Sequence, residues 1–156
     1  MNGVDISIEG EVGEPPGPER TTTLVLRILD ILGISGWEVS LLFCDNARIR
    51  RLNHDYRDKD EPTDVLSFSQ IEAPFPAAAT SAATRSIHAG DVVISLPYAR
   101  ASARELGIDS EEEIKRLIVH GILHLAGYDH SDASLDQPML RTQEDILSQL
   151  TEERLF

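Results

Sequence analysis

Apolar residues change their spacing several times along this chain, and the changes divide it into strands and helices. Residues 4–12 alternate apolar and polar side chains through Val4, Ile6 and Ile8, a period of two that predicts a strand. After a Gly/Pro loop at 13–18, Leu24, Leu26, Ile28, Leu29 and Leu32 give residues 21–32 a helical period, with a threonine available as N-cap and Gly33 as its stop. A second strand is expected over 38–44, followed by a helix that Asp45-Asn46 opens and that carries Ile49, Leu52 and Tyr56. Pro62-Thr63 interrupts the chain before a third strand at 65–69. Residues 71–87 are rich in Ala, Ser, Thr and Pro and read as a variable surface loop. Residues 91–95 are apolar without alternation, as in a central strand covered on both faces. Pro97 suits the first turn of a helix to Leu106. Ser110 and Glu113 are spaced as a capping box for the next helix, and a last one runs over about 138–155. The sum is one domain over 1–156 with an α/β (α+β layer) fold, a small mixed four-stranded sheet packed with about five helices.

The fourth of these helices carries the chemistry. Leu117, Ile118, Val119, Ile122, Leu123 and Leu125 make it apolar nearly all round, so it is expected to be buried. His120 and His124 lie four residues apart on it, slightly more than one turn, and so project from one face. Two imidazoles buried there without partners would be costly. Gly127 is suited to end the helix in a left-handed conformation, after which the chain can reverse and bring up His130. Three of the chain's five histidines thus converge. Three imidazoles suit one Zn²⁺ and leave its fourth tetrahedral position open, which implies catalysis rather than scaffolding.

Composition narrows the setting. The chain has 156 residues, enough for a proper core, and is 41% hydrophobic and 26% charged, as soluble globular proteins are. Its one cysteine, Cys44, excludes a disulfide framework and is expected to pack as a small hydrophobe. The N-terminal residues lack the basic and apolar regions of a signal peptide, and no apolar run approaches bilayer length, so a cytoplasmic protein without membrane contact is expected. A net charge of −13 argues against a general nucleic-acid coat. Yet five of the fourteen basic residues, Arg48, Arg50, Arg51, Arg57 and Lys59, fall within twelve positions. That strip is either a solvated helix face or a contact for a selective anionic substrate.

The segment from Leu52 to Phe68 (LNHDYRDKDEPTDVLSF), the run Gly90-Asp-Val-Val-Ile-Ser95 and the histidine motif through Gly-Tyr-Asp-His130 together closely resemble the YbeY family, in matching order over roughly residues 38–145. The resemblance implies a zinc-dependent, single-strand-specific endoribonuclease acting in ribosomal RNA maturation and ribosome quality control. Its substrates would be single-stranded RNA, above all rRNA precursors, with ribosomal-subunit factors as further partners and no DNA. Carried over by position, the metal ligands are His120, His124 and His130, with His120 also in the catalytic set. The functional arginine falls on Arg57, with Lys59 as a further substrate-binding residue. A guanidinium holds two phosphate oxygens at once, and charge builds on those oxygens as the diester is cleaved. The plain alternative for Arg57 is an ion pair with Asp58, Asp60 or Asp64. Asp64 and Asp91 have either a supporting role behind the ligands or a turn role, and His54 and His88 are expected at the surface.

Two other readings use the same residues. Metzincin peptidases share the histidine spacing but place a glutamate after the first histidine, where this chain has Gly121; Asp129 would have to substitute. A non-catalytic ribosome-assembly module would carry a structural metal closed by a fourth ligand, for which Cys44 is the only thiol.

Overall fold

The computed structural model describes residues 1–71, 87–128 and 138–156. Four strands form one sheet in the order β1 (Gly3–Ile8), β2 (Trp37–Cys44), β4 (Ile87–Ser95), β3 (Val65–Ser69). β1 and β4 both run parallel to β2, and β3 pairs antiparallel with β4 at the edge. The helices are α1 (Pro18–Ile31), α2 (Asn46–Arg57), α3 (Leu96–Leu106), α4 (Ser110–Leu125) and α5 (Pro138–Ser148). Among the described residues, no helix is long and apolar enough to cross a membrane. Most of the expected 71–87 loop lies outside the described residues, as do Asp129 and His130.

Strand alternation divides the core in two. Val39, Leu41, Phe43, Val92 and Ile94 face α1 and α4 and form the main core with Leu24, Ile28, Ile118 and Ile122. Their neighbours Cys44, Leu66 and Val93 point to the opposite face, where Ile49 of α2 covers them. β4 is therefore central and covered on both faces, as its unbroken apolar run implies. Cys44 is fully buried in the α2-side cluster, a small hydrophobe as expected. Burial, together with the adjacent Asp45 charge, pushes its thiol up to about 12.

Element ends differ from the expected ones for identifiable reasons. β1 stops at Ile8 because its partner β2 ends at Cys44, one position beyond the Ile8–Phe43 pair. Val12 is then buried from a loop. α1 starts earlier, with Gly17 as N-cap and Pro18 in its first turn; Thr21 lies inside and its hydroxyl donates back to the Gly17 carbonyl at 2.8 Å. β4 begins at Ile87 rather than Asp91, because Trp37 and Glu38 extend its pairing. The Ser110–Glu113 capping box does not form. Asp109 is the N-cap, no side chain caps the helix, and the Glu113 carboxylate is engaged by Arg116 at 3.3 Å. α5 ends at Ser148, and the buried Lys115 ammonium takes the Leu150 carbonyl at 2.6 Å.

Candidate metal centre and its arginine

α4 lies across the sheet so closely that one of its positions has no room for a side chain. A Cβ on Gly121 would sit 2.5 Å from Val92 Cγ1 and 3.3 Å from Ser67 Oγ. Ser67 Oγ donates instead to the Gly121 carbonyl at 3.3 Å, tying β3 to the middle of α4. Val119 and Ile122 are buried against the core, whereas His120 and His124 sit half-buried along one edge of the helix. Their rings meet edge to face, with centroids 4.7 Å apart and planes at 74°. The two Nε2 atoms are 3.1 Å apart. Zinc–nitrogen bonds of about 2.0–2.1 Å at a tetrahedral angle put two ligand nitrogens roughly 3.3 Å apart, so the pair fits one shared ion. α4 then ends as anticipated, with Gly127 left-handed at φ 94 and the Tyr128 amide donating to the Leu123 carbonyl at 3.0 Å. His130 lies outside the described residues, and among those described no group of three metal-ligating side chains gathers.

Arg57 reaches the same place from the other side of the chain. It is the last residue of α2, which ends because Asp58 adopts the left-handed conformation at φ 58. Asparagine and aspartate tolerate that region better than most residues. The buried Asn53 secures the turn, donating from Nδ2 to the Glu61 carbonyl at 2.9 Å and accepting from the Lys59 amide at 3.2 Å. The Arg57 guanidinium donates from Nη2 to the Ser67 carbonyl at 2.8 Å and lies 5.6 Å above the Phe68 ring. Arg57, Ser67, His120 and His124 line one cleft of about 430 Å³. Ser67 is its hinge: the carbonyl holds the arginine, the hydroxyl holds the histidine helix. An adjoining hollow of about 600 Å³, sharing Ser69, His124 and Leu125, is mainly apolar, with no Asp, Glu, Lys or Arg among the described residues that line it.

Arg57 makes no ion pair among the described residues; Asp60 is taken by Arg50 at 2.8 Å. Arg48 pairs with Glu9 at 3.1 Å, so two members of the basic strip are partly neutralised. Lys59 is exposed in the turn after α2 and does not line the cleft. Asp64 Oδ1 accepts from the Val65 amide at 2.7 Å, as in a turn, and the residue also lines a hollow with His120 and Gln143. Asp91 faces the α2 side of the sheet, 3.8 Å from His88, away from the two histidines. His54 and His88 are both exposed.

Sequence reasoning missed Gln143. This α5 side chain is 6% exposed, and its Oε1 lies 2.7 Å from His120 Nδ1. The signal was present: Met139, Gln143, Ile146, Leu147 and Leu150 repeat at helical spacing, and all are buried, with a polar residue in a core stripe. Beside it, Arg116 binds Glu144 through Nε at 3.0 Å and Nη2 at 3.3 Å. Burial raises the Glu144 carboxyl, but these bonds outweigh it and hold the group below its ordinary value. Glu113, deeper and less fully compensated by Arg116, is raised by burial.

Fold and cleft define an α/β protein with a mixed sheet in which two imidazoles and a guanidinium share one cavity. Comparison with known proteins gives the family. A family model described as Endoribonuclease YbeY matches residues 18–151. The endoribonuclease YbeY of Treponema denticola is 48% identical over 151 residues, covering 95% of this chain and 93% of that protein. That of Treponema pallidum is 44% identical over 149 residues, covering 96% and 90%. A solution structure of a Thermotoga maritima protein superposes with a TM-score of 0.63 at 26% identity, over 96% of this chain and 90% of the other. The chain belongs to the YbeY endoribonuclease family.

Proposed function

We propose that this chain is a zinc-dependent endoribonuclease that cuts single-stranded RNA during ribosomal RNA maturation and quality control in the cytoplasm, where ribosomal-subunit factors are its further partners. The observation that carries the reading is the cleft shared by Arg57, His120 and His124. His120, His124 and His130 would hold one Zn²⁺. Bound zinc supplies either a Lewis acid for a phosphoryl oxygen or a water whose pKa falls to roughly 7.

The chain's own residues supply the rest. Arg57 uses one of its five N–H donors on Ser67, which keeps the guanidinium plane in the cleft and leaves donors for two phosphate oxygens. As the diester is cleaved, negative charge builds on those oxygens, so a fixed guanidinium favours the transition state over the ground state. Lys59, exposed just beyond the arginine, is proposed to meet a phosphate further along the strand. The strongly acidic body repels polyanions in general, which restricts binding to the strand that reaches this local site.

The peptidase alternative has nothing to recommend it here. It needs a general base after the first histidine, and the space at Gly121 is filled by Val92 and Ser67. A structural metal closed by Cys44 fails too, since that thiol is buried on the sheet face opposite α4.

The test pairs metal analysis of the purified protein with cleavage of a single-stranded RNA and its duplex. About one zinc per chain is expected, with cleavage of the single strand by wild type and loss of both metal and cleavage in His124→Ala. A metal-free wild type, or a His124→Ala protein that cuts as well as wild type, would refute the reading.

A further inference from the structure

We propose that Gln143 is a positioning residue that fixes the tautomer of His120, holding its proton on Nδ1 and leaving the Nε2 lone pair in the cleft. This inference rests on the reading of His120 as a metal ligand, but its first observation is independent of metal. Four groups form a chain in which each link dictates the next. Arg116 can only donate, and it grips Glu144 through two nitrogens at 3.0 and 3.3 Å. An ionised Glu144 can only accept, so the group that Gln143 presents to Glu144 Oε2 at 3.1 Å must be its NH₂. The amide is thereby oriented, and its Oε1 is the atom 2.7 Å from His120 Nδ1. A carbonyl oxygen can only accept, so Nδ1 must carry the hydrogen. In a neutral imidazole, Nε2 is then the lone-pair nitrogen.

That nitrogen is the one 3.1 Å from His124 Nε2. The other tautomer would put two lone pairs face to face at Gln143 and a proton where a metal would have to bind. The amide is 6% exposed, so water has little access to replace it as acceptor. Its place is that of the carboxylate or carbonyl that commonly accepts the second ring N–H of a metal-bound histidine. Arg116 and Glu144, which are not metal ligands on any reading above, would act through it.

The experiment uses three proteins: wild type, Gln143→Leu and Gln143→Glu. Leucine keeps the volume and apolar contact of α5 but has no acceptor, whereas glutamate keeps the acceptor. In metal-free protein, ¹⁵N NMR of the imidazoles should show His120 as the Nδ1–H tautomer in wild type and Gln143→Glu, and as a mixture or the Nε2–H form in Gln143→Leu. Zinc affinity, read by competition with a chromophoric chelator, should fall about tenfold or more in Gln143→Leu and stay at or above wild type in Gln143→Glu. Melting of the metal-free proteins identifies any variant that has simply unfolded, and Gln143→Glu then carries the test. An unchanged tautomer and affinity in Gln143→Leu, or equal loss in a folded Gln143→Glu, would overturn the proposal while the metal site stands. A wild type that binds no zinc would overturn both.

Discussion

On the proposed reading, Arg57 is the residue at which folding and catalysis come apart. Its one hydrogen bond among the described residues is exposed, and its ring contact with Phe68 is at the rim of the smaller cluster, so little stability depends on it. On the proposed reading, Arg57→Ala lowers RNA cleavage on the order of a hundredfold or more, as loss of a transition-state donor does, with metal content and melting temperature nearly unchanged. Arg57→Lys restores only part of the rate, because an ammonium keeps the charge but loses the two-pronged plane. A fully active alanine variant would remove Arg57 from the mechanism. Cys44 makes the opposite case, a group with structural weight and no reactivity. Its thiol is raised by burial to about 12, so it stays protonated at neutral pH. Because the folded value lies above the ordinary one of 9.0, its contribution to stability is complete below about pH 9 and is lost as pH rises towards 12. Alkylation at pH 8 should therefore follow unfolding; rapid stoichiometric labelling of the native protein would contradict the burial.

At the scale of elements, α4 was the most legible part of the sequence, because its burial, its two histidines and its glycine stop all lie within one local pattern. What the pattern withheld was the cap: Ser110 and Glu113 have the right spacing, but Arg116, one turn on, takes the glutamate. The ends of β1 and β4 depend on how far β2 offers partners, which no window on either strand contains. Gly121 has meaning only between elements. In sequence it looks like a helix weakened by glycine; in the fold it is the point where α4 touches β4 and β3. Gly121→Ala would gain helix propensity yet force Val92 aside, and overpacking of this kind costs about 1–3 kcal/mol. A lower denaturant midpoint is expected, together with weaker metal retention because the histidines flank the displaced turn. A variant as stable as wild type would mean that α4 can slide on the sheet without cost.

At the scale of the whole molecule, the site is assembled from parts far apart in the chain, and that is why it was only half legible. His120 and His124 are read from one helix, and Arg57 from one motif. The cleft they share requires β3 to bring Ser67 between them, and α5 returns to add Gln143. The consequence is that the proposed metal is coupled to folding, because α4 packs on the sheet, on α3 and on α5 at once. A ligand that binds only the folded state stabilises it by about 2.7 kcal/mol at a hundred times its Kd. For a chain of this size, each kcal/mol moves the melting temperature by roughly 2–4 °C. Stripping the protein with a strong chelator should therefore lower its melting temperature by about 5–10 °C, and zinc should restore it. In His124→Ala or His130→Ala the melting temperature should no longer respond to chelator, whatever its starting value. A wild-type protein that melts at the same temperature with and without chelator would show that the three histidines hold no ion that matters to the fold.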